Sequence, residues 1–494
     1  MYLDVTVLDK AGYPVVTGLG QADFRITEDK RPQSIFSFEA PETHVLGPET
    51  SANREDENPE GKAPATILVL DLLDSSFADF GYIRYEARKF LLSQPSTLTA
   101  PVEMMVVGNT SLEMIQSYTR NRQELLDALE HLPPALPWKE MNGSFVWERF
   151  TQSIDALQQI ALQNAGIPGR KNLVWVGHGG PGVFLDSNAF SEKQVRELKD
   201  FAHLTTNLLV GSRISLYVIY PGLSVNGSAF SVSSQQSGLD LSNGDPFVGD
   251  INFGLFANAT GGKLYFNRND LSHLMARSLE LGSNYYTLTY QPSAGASDGK
   301  FRRIRVTVER PGLRVVTKAG YFAANPDAPA NPHQQAITNL CMAAFSTVPF
   351  HALPVRVVSM VRHPDSETVE VTVNLGEHNL IWEPTEDGKE RSTLLMAAAS
   401  LHGVDSILAS HMKRYGLSVA AGTPAQRAAL STDLAISVKF PRRASRLRVV
   451  IESEQAGRMG AIDLTRKEIL AAPAAPTPSP ALGYRPAAAP EVKP

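Results

Sequence analysis

The chain has 494 residues, a formal net charge of -5 at pH 7 and a sequence pI near 6.2. This length exceeds what one hydrophobic core can organise, so we expect several domains. The charge balance and the lack of a long basic run exclude a dedicated nucleic-acid surface. The single cysteine, Cys341, excludes an internal disulfide and a cysteine-based zinc site. No apolar run is long enough to predict a transmembrane segment.

The first segment, residues 1–40, alternates apolar and polar residues between short turn sequences. This pattern predicts the first part of a small β-domain. Residues 41–65 are rich in Pro, Glu, Asp and Asn, which predicts a linker. Strand-like alternation begins at Met1 without a signal peptide. Either the protein is cytoplasmic, or an export signal precedes this sequence.

Residues 66–283 alternate between strand-like and helix-like patterns, which predicts a doubly wound α/β domain with helices on both faces of its sheet. The predicted strands are 66–71, 102–107, 112–118, 172–177, 213–220 and 263–266. The predicted helices are 79–93, 121–131, 147–164, 190–209, 251–259 and 269–281. A Ser/Gly-rich stretch at 224–250 predicts a long loop beyond the carboxyl end of the 213–220 strand.

Strand patterns return at residues 284–323, which we interpret as the second part of the β-domain, with the α/β domain inserted between its halves. Residues 324–335 predict a Pro/Asn linker. Residues 336–470 are mostly β and have the spacing of a sandwich. Residues 471–494 predict a disordered Pro/Ala-rich tail.

The strand 66–71 ends in a carboxylate, Asp71, and Asp74, Ser75 and Ser76 follow within five positions. A buried central strand of a parallel sheet ends in this way at a ligand crevice, because the carboxyl ends of such strands face the binding loops. The sequence therefore predicts a binding site at this edge of the sheet.

Several segments in order over residues 2–323 resemble the bacterial VWFA-related domain family of the acidobacterial type, a group of von Willebrand factor A-like proteins. The matching segments are 5–15, 23–24, 28–29, 66–71, 169–175, 259–262, 282–292, 298–302, 310–313 and 320–321. The resemblance implies a Rossmann-like von Willebrand A domain inserted in the small β-domain, with the β-sandwich-like domain after it. It also implies an adhesive function and an extracytoplasmic or secreted location.

The resemblance implies a site for Mg²⁺ or Mn²⁺, with Asp-x-Ser-x-Ser in the first loop, Thr in the second and Asp in the third. Asp71 and Ser75 match the first loop, but Leu73 replaces the middle serine. His178 stands in place of the third-loop aspartate, and Ser144 is the nearest hydroxyl for the second loop. A neutral imidazole is a poor ligand for a hard cation. We therefore expect a degenerate, non-functional metal-ion-dependent adhesion site and no cofactor.

Without a metal, Asp71 is expected to hydrogen-bond backbone amides or to cap the following helix. The predicted function is a non-enzymatic, protein-binding or adhesion module whose ligand is a protein or peptide. Its partner-binding loops are predicted at the carboxyl edge of the sheet and include Asp74, Ser76, Asn109, Ser144 and His178.

Two alternatives remain open on the sequence. One is a structural envelope protein that assembles through its C-terminal module. The other is a hydrolase in the crevice at Asp71 and His178, which would require a serine or cysteine nucleophile beside His178. The glycine motif at 177–182 lacks the following helix that a dinucleotide site needs, and the Gly-x-Ser-x-Gly match at 295–299 lies in a polar hairpin loop.

Overall fold

A computed structural model describes residues 1–44, 64–73, 77–108, 111–132, 143–177, 179, 182–185, 190–221, 245–292, 297–324, 332–376, 379–403, 406–420, 422 and 431–475. Most of the predicted linker at 41–65, of the loop at 224–250 and of the tail at 471–494 lies outside these ranges. None of the described helices is long and apolar enough to cross a membrane.

The β-domain combines strands from both ends of residues 1–324. They are β1 (Tyr2–Leu8), β2 (Phe24–Glu28), β3 (Arg31–Gln33), β4 (Ile35–Glu39), β13 (Tyr286–Tyr290), β14 (Phe301–Val308), β15 (Arg314–Val316) and β16 (Gly320–Phe322). Two four-stranded sheets form, with the orders β15-β1-β13-β4 and β16-β14-β2-β3. Because β1 pairs with β13 and β15, and β2 pairs with β14, the two halves of the domain share one apolar core.

The α/β domain lies between these halves in sequence. Its strands are β5 (Ala65–Asp71), β6 (Thr97–Val107), β7 (Leu112–Asn121), β8 (Lys171–Val176), β9 (Val183–Phe184), β10 (Ile214–Pro221), β11 (Asp250–Ile251) and β12 (Lys263–Arg268). Its helices are α1 (Phe77–Ser93), α2 (Arg122–Glu130), α3 (Gly143–Gln163), α4 (Glu192–Gly211), α5 (Phe253–Ala259) and α6 (Leu271–Ser283).

A six-stranded sheet with the order β12-β10-β8-β5-β6-β7 forms the centre of this domain. All neighbours run parallel except β7, which is antiparallel to β6 at one edge. Every residue of β5 and β8 is buried, as expected for strands covered on both faces. Helices α3, α4 and α5 pack on one face, and α1, α2 and α6 pack on the other.

The C-terminal module consists of α7 (Pro332–Phe345), β17 (Val355–His363), β18 (Thr368–Gly376), β19 (Glu383–Pro384), β20 (Lys389–His402), β21 (Ser406–Ala420), β22 (Ser431–Lys439), β23 (Arg446–Ser453), β24 (Met459–Thr465) and α8 (Arg466–Ala471). One sheet has the order β17-β18-β22. The other contains β19, β20, β23 and β24, with β21 paired to β20. One apolar cluster fills the space between these sheets.

The C-terminal module is docked on α3 of the α/β domain. Oε1 of Gln159 accepts hydrogen bonds from Oγ of Ser346 at 2.8 Å and from the backbone N–H of Thr347 at 3.1 Å. Nε of Arg458 donates to the carbonyl oxygen of Gly166 at 3.1 Å. Apolar side chains from α3, α7, β20 and β23 share a further cluster. Hydrogen bonds and apolar burial thus hold the two units together.

The structure confirms a mixed α/β chain, and α7 and β21 are two of the places where it differs from the sequence prediction. Helix α7 begins inside the range 324–335 that we predicted as a linker, because its proline stands at the first helical position, where no N–H is needed. Strand β21 was not predicted, because none of its residues is fully buried and the spacing of its half-buried apolar residues changes at Met412, which interrupts strict alternation.

Candidate functional site

The carboxyl ends of β5, β8 and β10 lie side by side in the central sheet, and Asp71 is the last residue of β5. The pairing register places Leu70 opposite Val176, so the chain that leaves β8 passes directly beside Asp71. Asp71 is fully buried. A buried carboxylate needs hydrogen-bond donors around it, so its contacts decide what it can do.

Donors approach both oxygens of the Asp71 carboxylate. The backbone N–H of Leu73 donates to Oδ1 at 2.9 Å. The indole N–H of Trp175 donates to Oδ2 at 3.0 Å, and the backbone N–H of Gly179 donates to the same oxygen at 2.6 Å. These bonds fix the loop that follows β5 and the loop that follows β8 onto a single side chain. The carboxylate therefore ties two loops at the edge of the sheet.

Two glycines permit this arrangement. Gly177 has a φ of +147°, and a Cβ built on it would stand 2.3 Å from Cβ of Asp71. Gly179 has a φ of +67°, and its Cβ would stand 3.0 Å from Cγ of Phe253. A side chain at Gly177 would displace the carboxylate from the donors around it. Gly177 is the first glycine of the Gly-x-Gly-x-x-Gly match at 177–182. Its lack of a side chain leaves the space that Asp71 occupies.

Trp175 also contributes packing to this site. Its ring is fully buried and contacts the ring of Phe253 edge to face, with 4.9 Å between the ring centroids. Phe253 opens helix α5, and Asn252 caps that helix by accepting the N–H of Leu255. The indole therefore joins the sheet, the Asp71 carboxylate and the start of α5 in one packed unit.

Of the predicted metal ligands and partner-binding residues, the structure places Asp71 and the backbone of Ser144. Ser144 lies in the first turn of α3 and not in a loop, because that helix begins at Gly143, four residues before the predicted start. The positions of Asp74, Ser75, Ser76, Asn109 and His178 lie outside the described residues. The hydrolase alternative, which depends on the surroundings of His178, lies outside them as well.

A small two-stranded sheet stands beyond the carboxyl edge. β9, in the loop after β8, pairs with β11, which follows the Ser/Gly-rich stretch. Phe184 of β9 and Val248 just before β11 each remain 37% exposed. The short sheet holds these apolar side chains on the solvent side of the edge.

Helix α3 begins at the same edge, because it runs antiparallel to the buried strands. Trp147 in its first two turns is 46% exposed, and its ring contacts those of Phe150 and Phe190. We name Trp147, Phe184 and Val248 the apolar rim. The rim was not among the features predicted from the sequence. The available signal was weak: Trp147 lies three residues before the buried Phe150, a spacing that also fits a core position.

The last residues of the Ser/Gly-rich stretch 224–250 are anchored through Asp245. Oδ2 of Asp245 accepts from Nε2 of His203 at 3.1 Å, and the His203 ring stacks on Phe322 of β16 with 3.7 Å between centroids. Burial raises the pKa of Asp245, but the hydrogen bonds from His203 and from the backbone N–H of Phe247, together with nearby positive charge, outweigh it, so the pKa of Asp245 lies below its ordinary value. This anchor connects the edge of the α/β domain to the β-domain.

Within the described part of the chain, no group of three or more His, Cys, Asp or Glu side chains is placed to hold a metal ion. At Asp71, the N–H of Trp175 occupies one side of Oδ2, where a cation would have to displace it. An indole nitrogen is a donor only and cannot ligate a cation. The groups around Asp71 are thus N–H donors, which suit a carboxylate that is held by hydrogen bonds.

No family model matches this chain, and no curated protein matches it either. Among solved structures, the VWA domain of SpRpn10 is similar, with 15% sequence identity over 34% of this chain and 84% of that chain, at a TM-score of 0.18. This TM-score is too low to carry a conclusion about fold or function.

Proposed function

We propose that the chain is a non-enzymatic, protein-binding module of von Willebrand A-like type that captures a protein or peptide at the carboxyl edge of its central sheet. The apolar rim carries the proposal. Apolar side chains from α3, from β9 and from the segment before β11 stay exposed at an edge where binding loops of α/β folds gather. Trp and Phe in such positions are typical anchors of protein interfaces.

Capture at this edge proceeds without a metal ion in this proposal, and no cofactor is used. In this proposal, Asp71 holds the loops after β5 and β8 in place beneath the rim. The hydrogen bonds that its carboxylate accepts from the N–H groups of Leu73, Trp175 and Gly179 support this role. The carboxylate acts on the shape of the edge and does not reach the partner, because it is fully buried.

The test compares three forms of the biotinylated full chain in capture from cell extracts with EDTA present. The rim variant is Trp147→Glu/Phe184→Glu. The matched control is Phe36→Glu/Leu470→Glu, which places the same two charges at exposed apolar positions of β4 and α8. We expect a partner that wild type and control retain and that the rim variant loses by about tenfold or more. Equal capture by all three forms in EDTA, or a partner that wild type captures in Mg²⁺ but not in EDTA, would overturn the proposal.

A further inference from the structure

The strand β12 is the last of the central six-stranded sheet. Within the described residues it pairs only with β10, in parallel, from Lys263 to Arg268. In a parallel ladder, alternate residues turn their N–H and C=O groups to opposite edges of the strand. No backbone hydrogen bond in the described part of the chain reaches the outer edge of β12. The sheet therefore ends in an open row of donors and acceptors, to which a further strand can add.

The two faces of β12 are covered by different helices. Tyr265 is buried against α6, and Leu264 is half-buried on the opposite face, beside α5. Phe266 shares the face of Leu264, and its ring contacts that of Tyr220 with 4.8 Å between the centroids. The regular strand ends after Phe266, because Asn267 has a φ of +54°. A strand added at the outer edge would extend the apolar face of Leu264 and Phe266 with every second side chain.

Positive charge surrounds the start of this edge. Lys263 is exposed, and its ammonium group lies 4.9 Å from the centroid of the Tyr265 ring. Partial burial lowers the pKa of Lys263 below its ordinary value. The nearby charges of Arg314, Arg277 and Arg268 lower it further. We name these four residues the β12 cations. They come from β12, β15 and α6, so only the folded chain brings them together.

Two of the β12 cations lack a carboxylate partner. Arg277 and Arg268 each pair with a carboxylate that follows within three positions on the chain. Neither Lys263 nor Arg314 forms an ion pair with any described residue. Their positive charge is therefore available to a ligand that brings its own carboxylates.

This charge decides which strand fits the edge. A second copy of the chain is disfavoured, because pairing two β12 edges would bring two sets of β12 cations together. A strand with carboxylates on the α6 side would place them beside Lys263, whose side chain lies on that face with Tyr265. The same strand needs apolar side chains on the other side, next to Leu264 and Phe266.

We propose that the outer edge of β12 is a docking site for an extended segment of a partner protein in which acidic and apolar residues alternate. The segment adds a seventh strand to the six-stranded central sheet. Its backbone is hydrogen-bonded to the open edge, and its carboxylates lie at Lys263 and Arg314. This site is separate from the apolar rim, which lies at the carboxyl ends of the strands and not along the last one.

The probe is a fluorescein-labelled eight-residue peptide of alternating Val and Glu, and its counterpart alternates Val and Lys. Fluorescence anisotropy with the full chain should show binding of the Val/Glu peptide and at least tenfold weaker binding of the Val/Lys peptide. The Lys263→Glu/Arg314→Glu variant should keep its thermal unfolding midpoint within a few degrees, because both positions are exposed. It should weaken Val/Glu binding about tenfold or more.

The matched control is Arg443→Glu/Lys467→Glu. It also reverses one lysine and one arginine at exposed positions, but on the C-terminal module. Its net charge equals that of the Lys263→Glu/Arg314→Glu variant, so any difference between them is local to β12. The control should bind the Val/Glu peptide within twofold of wild type.

Two further peptides test strand addition separately from charge. In an extended strand, the N–H groups of the valines face one edge and those of the glutamates face the other. N-methylation of all the valines, or of all the glutamates, therefore removes the donors of one edge only. We expect one of these peptides to lose binding about tenfold or more and the other to stay within threefold of the unmodified peptide.

The proposal has four contrary outcomes. Wild type that does not bind the Val/Glu peptide at 1 mM, or that binds both charge types equally, would overturn it. The same holds for equal binding by the two charge-reversal variants and for equal affinity of the two N-methylated peptides.

Discussion

The indole N–H of Trp175 donates to Oδ2 of Asp71 across 3.0 Å, although 104 positions separate the two residues in sequence. The contact exists because β8 is the immediate parallel neighbour of β5, so both residues arrive at the same edge of the sheet. We expect Trp175→Phe to lower the free energy of unfolding by about 2–4 kcal/mol, because it removes a buried donor and leaves a small void. Urea denaturation at pH 7 measures this loss.

The control for that measurement is Trp147→Phe, which makes the same replacement at a half-exposed position of the rim. It should change the free energy of unfolding by no more than about 0.5 kcal/mol. Equal losses for the two variants would show that the hydrogen bond to Asp71 contributes nothing.

Gly177→Ala should lower the free energy of unfolding by more than about 2 kcal/mol. The φ of +147° disfavours any side chain, and the new Cβ would stand 2.3 Å from Cβ of Asp71. Gly211→Ala in α4 is the control, since its Cβ meets no atom within 4 Å and alanine favours the helix. Thermal denaturation of both variants checks this, and a neutral Gly177→Ala would contradict the close approach of the two loops.

Glu103 predicts a pH dependence of stability. It is buried on β6, where burial raises its pKa from 4.5 to about 8, and Oε1 accepts from Gln163 at 2.9 Å. Between these pKa values the folded chain holds a proton that the unfolded chain has lost. Its contribution to the free energy of unfolding therefore falls as pH rises through this window and levels off above it.

Glu103→Gln removes this dependence, so the variant should gain stability over wild type as pH rises from 5 to 8.5. The gain should reach the order of a few kcal/mol at the upper end. Urea denaturation of both proteins at a series of pH values measures the difference. The exposed Glu130→Gln should show no such trend. A constant difference between wild type and Glu103→Gln across the series would contradict the neutral state of Glu103.

The ion pair between Asp4 of β1 and Arg213, just before β10, joins the β-domain to the α/β domain. Burial opposes the charge on Asp4, but Arg213 outweighs it and lowers the pKa of Asp4 below 3.8. The pair therefore stabilises the fold at pH values above 3.8, the ordinary pKa of the Asp4 carboxyl. This contribution to the free energy of unfolding is lost as the pH falls through the lower pKa that Asp4 has in the folded chain. Arg213→Gln should cost about 3–5 kcal/mol at pH 7, because it leaves the mostly buried carboxylate of Asp4 without its guanidinium partner and with only the hydroxyl of Thr287 as a donor.

The double variant Asp4→Asn/Arg213→Gln should recover much of that loss, since it leaves no charge behind. Chemical denaturation of the single and double variants gives the coupling between the two side chains. A double variant that is less stable than Arg213→Gln alone would mean that the pair is not the reason for the loss.

The sequence predicted the parts of the site that depend on one strand, and not the parts that depend on the order of strands. The apolar run of β5 predicted a buried strand that ends at Asp71, and the structure has that strand. The donors Trp175 and Gly179 were not predicted as partners of Asp71, because sequence periodicity does not tell which strands are neighbours. The exposed face of Trp147 was missed for a related reason, since an aromatic at helical spacing usually indicates core.

The central claim is that Asp71 holds two loops at the carboxyl edge of the central sheet without a metal ion. It is tested most directly by the thermal unfolding midpoint of the full chain, measured for wild type and Asp71→Ala in Mg²⁺, in Mn²⁺ and in EDTA. A ligand that binds the folded state raises this midpoint. We predict one midpoint for wild type in all three solutions, and a lower but equally metal-independent midpoint for Asp71→Ala. A rise with Mg²⁺ or Mn²⁺ in wild type that Asp71→Ala abolishes would contradict the account.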